Sequence, residues 1–452
     1  MTKNLTVGPP GPLIVGFAIP LIVGNLFQQF YNMADTFIVG RTIGMHALAA
    51  IGCTGPIAFL LIGFVMGVTA GAAIITSQRF GAQNEDGVRI SFASSVIISI
   101  AITFVLMVIG ISTLMPFLRL LNTPSDIIDD AYKYFVVILI GLPALTLFNV
   151  LSNMMRSVGD SRTPLIFLAV ACVINVVLDY TFILVFHSGV IGAGIATVIA
   201  QLVSGIACFF VIKKHLPILC PTKKDWQVSM KELIEHLKIA LPVGFQWSII
   251  AIGTIAVQYA LNDLGTTAVA AFTTAEKIDQ FAVMPLSSFG QAMITFSAQN
   301  FGAKKYARIR EGLLQASIMV CAFSIVMFFL FLFFGSFFAG IFLNTEMEAI
   351  ELSHEYLIVS GASFTLLALL FILRETIQGL GDSITATVSG ILELVMRTFA
   401  AIILTDKFGF IGLCFASPLA FVGALIALTI SWRFKVKMLN RLQMREAKIQ
   451  KI

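Results

Sequence analysis

The chain has 452 residues, of which 58% are hydrophobic and only 12% are charged, and its mean hydropathy is +0.95. A soluble globular protein carries about 25% charged residues, so this composition excludes an ordinary soluble enzyme or binding domain. The 29 Lys and Arg residues exceed the 24 Asp and Glu residues, giving a formal net charge of +5. The apolar surface that remains is suited to a lipid bilayer.

Apolar runs long enough to cross about 30 Å of hydrocarbon predict twelve transmembrane helices. They cover residues 13–40, 47–77, 90–119, 127–149, 164–187, 190–212, 238–262, 268–297, 309–343, 350–379, 384–406 and 409–434. The first run is too long for the core of a cleaved signal peptide, and we expect it to stay in the protein. The predicted fold class is therefore all-α and integral to a membrane, without a soluble domain.

The basic residues between the predicted helices predict the orientation of the chain. The connections on the side that holds both termini carry 22 Lys and Arg residues, whereas the connections on the other side carry four. Lys and Arg are enriched in cytoplasmic loops, so we expect both termini in the cytoplasm of a cell whose plasma, or inner, membrane holds the protein. The basic tail from Arg433 to Lys451 is interpreted as an orientation and lipid-headgroup signal, and we expect no nucleic-acid binding.

The two halves of the sequence resemble each other at an offset of 221 or 222 residues. The matching segments, in order, are Ala18-Ile-Pro20 with Ala240-Leu-Pro242, Gln78-Arg-Phe-Gly-Ala82 with Gln299-Asn-Phe-Gly-Ala303, Tyr134 with Tyr356, and Gly159-Asp160-Ser161 with Gly381-Asp382-Ser383. Each half holds six spans, which predicts a parallel repeat: a bundle at 1–215, a cytoplasmic linker at 216–237, and a second bundle with the basic tail at 238–452. Such repeats are common in secondary transporters, although a duplicated scaffold without transport is the alternative.

Ionisable side chains within the spans are costly and each one needs a reason. Apart from charged residues near the ends of the spans, which we count with the connections, the first half has only two, Asp35 and Asp179, with no Lys or Arg to neutralise them. The second half has four acids and three bases, and we expect these charges largely to satisfy each other; they are Glu276, Lys277, Asp279, Arg374, Glu375, Glu393 and Arg397. Glu393 and Arg397, four apart on one helix, are predicted to pair directly.

The unpaired acids of the first half predict a cation site. Asn175 lies four residues before Asp179 and shares its helix face, and Thr197 lies on the next helix among small residues. Two carboxylates in a medium of low dielectric favour uptake of a proton, and the same oxygens with neutral neighbours suit Na⁺. On the first helix Gln28 and Asn32 form a polar stripe with Asp35. Helix-to-helix hydrogen bonds without an ion are the alternative.

These features resemble the multidrug and toxic compound extrusion (MATE) family, and the sequence is most like its bacterial members of the MepA type. The resemblance covers essentially the whole chain. The segments that carry it, with their second-half copies, are Ala18-Ile-Pro20, Tyr31-Asn-Met-Ala-Asp35-Thr-Phe-Ile-Val-Gly40, Ala47-Leu-Ala-Ala50, Gln78-Arg-Phe-Gly-Ala82 and Arg156-Ser-Val-Gly-Asp160. It implies two pseudo-symmetric six-helix bundles around a central cavity, in the MOP superfamily, and export of organic cations in exchange for H⁺ or Na⁺.

The resemblance also implies roles for particular residues. The family's cation site in the first bundle corresponds here to Asp35, Tyr134, Asn175, Asp179 and Thr197. Some relatives carry an essential Glu midway along the seventh helix, but this helix reads Leu241-Pro-Val-Gly-Phe-Gln246-Trp-Ser-Ile-Ile-Ala251, without an acid. We include Gln28, Asn32, Gln246 and Glu276 as candidates for the substrate cavity. Asp382 matches an acid used elsewhere in the family, but its repeat mate is Asp160 and a helix cap explains both.

Other functions are disfavoured by what the sequence contains. There is no nucleotide-binding motif and no catalytic constellation, so we expect neither enzymatic activity nor a cofactor beyond the coupling ion. A flippase for a lipid-linked oligosaccharide is the main alternative, kept open by Lys277, Arg374 and Arg397, although the first half offers no cation for phosphates. A channel or a membrane receptor is a third possibility. We expect a monomer that exchanges small organic cations across the bilayer.

Overall fold

The structure is a computed structural model that describes residues 3–121, 123–343 and 346–449. Within these residues it contains thirteen α-helices and no β-strand. The helices are α1 (Pro10–Thr42), α2 (Met45–Gly81), α3 (Glu85–Leu120), α4 (Ile128–Ile140), α5 (Leu142–Ser157), α6 (Arg162–Tyr180), α7 (Gly189–His215), α8 (Met230–Asn262), α9 (Thr266–Gly302), α10 (Tyr306–Leu343), α11 (Met347–Gly379), α12 (Ser383–Cys414) and α13 (Ala416–Ile449). A π-helical turn, Thr181–Val185, extends α6, and a 3₁₀ turn, Pro217–Leu219, follows α7. The predicted all-α fold is confirmed.

Ten of these helices are long and apolar enough to cross a membrane, and the bent pair α4 and α5 raises the number to eleven. The chain is therefore a multi-pass membrane protein. The remaining predicted span, 268–297, corresponds to α9, which is 37 residues long. This helix has no stretch as apolar as those of the other spans, because it carries Glu276, Lys277 and Asp279 together with several Ser, Thr and Gln residues.

The fourth predicted span, 127–149, was expected to be one helix, but the structure bends it by 46° between α4 and α5. The break lies at Gly141, two residues before Pro143, whose nitrogen cannot donate a hydrogen bond to the preceding turn. A Cβ atom at Gly141 would lie 2.0 Å from Cγ2 of Val198 on α7, so the bend also needs a glycine. The corresponding helix of the second half, α11, has Ser363 at this position and runs without a break.

The sequence repeat is also a repeat of backbone conformation. Four positions with positive φ in the first half recur in the second half at an offset of 221 or 222 residues. Two of these pairs are glycines, Gly44 with Gly265 and Gly159 with Gly381, one is His187 with Gly409, and one is Gln83 with Lys304. The last pair shows that both halves keep the left-handed turn after α2 and α9 even where no glycine supports it.

Contacts divide the chain into two compact units. Of the described residues, the first unit contains Lys3, Asn4 and Pro20–Ser248. The second unit contains Leu5–Ile19 and the described residues from Ile249 to Ile449. The beginning of α1 is thus grouped with the second unit, and the beginning of α8 with the first unit. Lys451, at the end of the predicted basic tail, lies outside the described residues.

Polar contacts hold the segment that precedes α1 in the second unit and the start of α8 in the first unit. In the second unit, the backbone NH of Leu5 donates to Oε1 of Gln299 at 3.0 Å, and Nζ of Lys305 donates to the carbonyl of Thr6 at 2.9 Å. In the first unit, Arg79 forms an ion pair with Glu232 near the start of α8. Nearby, Nε2 of His236, which is fully buried, lies 2.7 Å from the hydroxyl of Ser91.

Candidate functional site: an acidic pair in the first unit

The predicted cation-site residues all lie in the first unit, on four different helices. Asp35 is on α1, Tyr134 on α4, Asn175 and Asp179 on α6, and Thr197 on α7. The close approach of α7 to α4 depends on Gly194, where a Cβ atom would lie 3.1 Å from Val137 and 3.4 Å from the carbonyl of Tyr134.

Asn175 and Asp179 occupy the most buried part of this cluster, and both are 0% exposed. Nδ2 of Asn175 donates to the hydroxyl of Thr197 at 3.5 Å, which joins α6 to α7. The α-helical part of α6 ends one residue after Asp179, where the π-helical turn begins. Such turns are frequent at functional sites because the extra residue changes the direction of the side chains around it.

Four acceptor oxygens in the cluster have no hydrogen-bond partner among the described residues. They are both carboxylate oxygens of Asp179, one of Asp35 and the amide oxygen of Asn175. A buried acceptor without a partner costs about 1–3 kcal/mol, and a charged one costs more, so proteins leave few of them. A group of four acceptors is matched by a bound proton or a small hard cation, which this arrangement can accommodate chemically.

The two carboxylates lie close enough to interact electrostatically with each other. Neither of them forms an ion pair within the described ranges, and the charge that acts on Asp179 is that of Asp35. Two like charges without a counter-ion in an apolar environment are unfavourable, so the pair favours uptake of positive charge.

Tyr31 belongs to this cluster, although it was not among the predicted site residues. Its side chain is 8% exposed and interacts electrostatically with Asp35, Asp179 and Tyr134. Its hydroxyl also has no hydrogen-bond partner in the described part of the chain. The sequence did contain a signal, because Tyr31 lies four residues before Asp35 and therefore on the same face of α1.

The four residues predicted to line a substrate cavity are distributed over both units, three in the first and one in the second. Gln28 donates from Nε2 to Oδ1 of Asn32 at 3.4 Å, and this pair extends the polar face of α1 in the first unit. Gln246 also belongs to the first unit but is only 3% exposed. Glu276 belongs to the second unit, where it is half-buried and interacts with Arg397.

Three of the seven charges in the spans of the second half, Arg374, Glu393 and Arg397, form a buried triad in the second unit. Glu393 accepts from Nη2 of Arg397 at 2.5 Å, which confirms the predicted pair, and from Nη2 of Arg374 on α11 at 2.8 Å. Their side chains are 8%, 11% and 2% exposed, respectively, so all three are essentially withdrawn from solvent. Three of the seven charges therefore satisfy each other as expected.

Asp279 does not follow the expectation that the charges of the second half satisfy each other, because its hydrogen-bond partner is a hydroxyl and not a cation. Oγ of Ser360 on α11 donates to Oδ1 of Asp279 at 2.5 Å. The acid also interacts with Glu276 and with Tyr356, which is the repeat mate of Tyr134. Each half thus places its repeat-related tyrosine near two acids, and in the part of the chain that the structure describes an arginine, Arg397, acts on the tyrosine of the second half alone.

Asp160 and Asp382 are helix caps, as predicted. Oδ1 of Asp160 accepts from the backbone NH of Thr163 at 3.0 Å, and Oδ1 of Asp382 accepts from the backbone NH of Thr385 at 3.1 Å. Asp382 also forms an ion pair with Lys435 on α13 at 2.7 Å.

Sequence comparisons agree with the architecture. The MatE family model matches residues 20–181 and 242–403, one match in each half. The probable multidrug resistance protein YoeA of Bacillus subtilis is 27% identical over 94% of both chains, and an FAD transporter of Shewanella oneidensis is 23% identical over 87% of both chains. The multidrug export protein MepA of Staphylococcus aureus is 21% identical over 89% of both chains.

A comparison with solved structures shows the same fold. The chain is similar to a structure described as the outward-facing conformation of a multidrug resistance MATE family transporter, with a TM-score of 0.90. The match covers 98% of this chain and 99% of that chain at 22% identity. At this identity the similarity establishes the fold alone.

Proposed function

Because the chain belongs to the MatE family, we propose that it is a secondary active multidrug efflux transporter. The observation that carries the proposal is the acidic pair of half-buried Asp35 and buried Asp179, which has no ion-pair partner among the described residues; with Asn175 it presents four acceptor oxygens without hydrogen-bond partners. A scaffold without transport has no need for such a costly cluster. The names of the relatives YoeA and MepA support drug export as the activity.

The coupling ion is H⁺ or Na⁺, bound by Asp35 and Asp179 with help from Asn175, Thr197 and Tyr134. Its uptake from the outside neutralises the acidic pair and stabilises one conformation, which disfavours the bound drug. A ligand that prefers one state shifts the population toward that state, and this linkage couples export to the ion gradient. In this account Tyr31 positions the two carboxylates.

The exported compounds are organic and mainly cationic, and export runs across the plasma membrane with both chain termini in the cytoplasm. The excess of Lys and Arg in the connections on the terminal side supports this orientation. A second candidate cargo is an anionic dinucleotide, favoured by the relative named as an FAD transporter.

The test is transport by the purified protein in proteoliposomes, with a pH gradient and a Na⁺ gradient imposed one at a time. Ethidium and FAD are offered as alternative cargoes. We expect Asp35→Asn and Asp179→Asn each to abolish gradient-driven ethidium export. Asp129→Asn is the matched control, since Asp129 is an exposed acid on α4 of the same unit.

Wild-type rates in both site variants would contradict the coupling role of the acidic pair. Export of FAD but not of ethidium by the wild type would replace the cationic cargo by the anionic one. If neither cargo moves under either gradient, drug export itself is wrong.

A further inference from the structure

The outer face of α13 carries a continuous stripe of exposed side chains in the second unit. Its apolar part consists of Val422, Ile426 and Ile430, which are 37%, 57% and 53% exposed. Residues four apart lie on one face of a helix, so these side chains form a single row along the axis. This row continues toward the end of the helix without a turn to another face.

The same row becomes basic at Arg433. Arg433, Lys437 and Arg441 follow one another at intervals of four residues, and all three are exposed. Among the described residues none of them has an ion-pair partner, whereas the neighbouring Lys435 is paired with Asp382 at 2.7 Å. The three charges of the row are therefore free to bind an external anion.

The rest of the tail is anchored to the second unit by other residues. Nη1 of Arg310 donates to Oδ1 of Asn440 at 2.7 Å, and Nζ of Lys304 pairs with Glu446 at 2.9 Å. Leu439 is 0% exposed and packs in an apolar cluster with Ile309. These contacts hold α13 in place beyond the membrane span, so the three free cations are presented by a fixed helix.

Two adjoining depressions follow this row. The first has a volume of about 350 Å³, and it is lined by Leu366 of α11 and by apolar side chains of α13, with Arg433 at one end. The second has a volume of about 330 Å³ and continues from Phe434 past Lys437 to Arg441. The surface thus offers an apolar groove and, further along α13, a basic one.

We propose that this surface, formed by Leu366, Val422, Ile426, Ile430, Arg433, Lys437 and Arg441, is a binding site for a phospholipid with an anionic headgroup. One acyl chain lies in the apolar groove, and Arg433 with Lys437 or Arg441 binds the phosphate and the headgroup. The eleven residue steps from Val422 to Arg433 extend about 16 Å along a helix, which matches one leaflet of a bilayer with a core about 30 Å thick.

Charge and polarity favour this occupant over the others that such a surface can take. A zwitterionic lipid carries no net negative charge to offset the three cations, whereas an anionic headgroup does. Clusters of Lys and Arg immediately beyond a transmembrane helix bind anionic lipids of the cytoplasmic leaflet. The choice of leaflet rests on the proposed orientation, whereas the site itself does not depend on the transport function.

The test measures lipid binding by native mass spectrometry of the full chain in detergent, with phosphatidylglycerol and phosphatidylcholine titrated separately. The variant Arg433→Gln/Lys437→Gln/Arg441→Gln removes the free cations. Its control, Lys223→Gln/Lys224→Gln/Lys231→Gln, removes the same charge from exposed linker and helix-start positions of the first unit. A second variant, Ile426→Trp, fills the apolar groove and leaves every charge in place.

We expect the wild type to bind phosphatidylglycerol at least about tenfold more tightly than phosphatidylcholine, since each basic residue near an anionic surface contributes about fivefold. The Arg433 triple variant should lose this preference, and the control should keep it within about twofold. Ile426→Trp should weaken the binding of both lipids. Equal binding of the two lipids by the wild type, or equal losses in the two triple variants, would overturn the site. Unchanged binding by Ile426→Trp would overturn the acyl-chain groove.

Discussion

Glu393 is the one carboxylate that serves both Arg374 and Arg397, so the substitution Glu393→Gln perturbs the whole buried triad. The carboxylate oxygens accept hydrogen bonds at 2.8 Å and 2.5 Å, one from each arginine. An amide keeps a single acceptor oxygen, so one guanidinium loses its partner and the net charge of the triad rises from +1 to +2. Removing one partner of a buried ion pair costs about 3–5 kcal/mol.

The loss of stability in Glu393→Gln is measured as the difference in the free energy of unfolding between wild type and variant, from denaturant titrations in detergent micelles. The matched control is Glu446→Gln, because Glu446 pairs with Lys304 at 2.9 Å on the surface, with side chains 30% and 60% exposed. Exposed pairs contribute about 0–1 kcal/mol, so this variant should be nearly as stable as the wild type. The contrast separates the cost of a buried charge from a general effect of Glu→Gln.

A third variant tests the cause of the loss. Replacing Glu393 by Leu together with Arg374→Met and Arg397→Met removes all three charges, and we expect it to recover most of the stability. The reasoning is refuted if Glu393→Gln costs no more than Glu446→Gln, or if the uncharged triple variant is as unstable as Glu393→Gln.

Three further outcomes are expected. Gly141→Ala should lower the melting temperature, because its Cβ meets Val198 at 2.0 Å, whereas a Val198→Ala background should relieve the loss. Asp160→Ala should lower the free energy of unfolding by about 1–2 kcal/mol, because it removes the carboxylate that accepts a hydrogen bond from the backbone NH of Thr163. Asp160→Asn should lower it less. In the linker, a backbone amide that donates to Asp225 lowers the pKa of this carboxyl. Its stabilising effect is therefore present above the pKa of the unfolded chain and is lost as the pH falls through the lower folded pKa, so Asp225→Asn should weaken protection of the linker from proteolysis at pH 7 but not at pH 3.

Local spacing predicted the parts of the site that a single helix determines. Asn175 with Asp179 and Glu393 with Arg397 are each four residues apart, and the helix alone brings them together. Arg374 joins its triad from another helix, and Ser360 reaches Asp279 across 81 residues of sequence. No periodicity encodes such contacts, because they depend on which helices pack against each other.

The bend between α4 and α5 shows a different limit. The apolar run through 127–149 is continuous, and hydropathy therefore predicts one span. The signal was present in Gly141 and Pro143, but proline occurs within other helices of this chain without a break: Pro20 in α1 and Pro56 in α2 are examples. The close contact of Gly141 with Val198, which a Cβ atom would prevent, depends on the packing of α7 and could not be predicted from the sequence.

The polar composition of α9 has a consequence for how the chain enters the membrane during synthesis. A charged residue near the centre of a helix opposes insertion by about 2.5–3.5 kcal/mol, and α9 carries Glu276, Lys277 and Asp279 within four residues. Its main packing neighbours in the second unit, α10 and α11, follow it in sequence, and α11 supplies the hydroxyl of Ser360 for Asp279. We therefore expect α9 to wait beside the translocation machinery until α11 has been made, so that these helices enter the bilayer as a group.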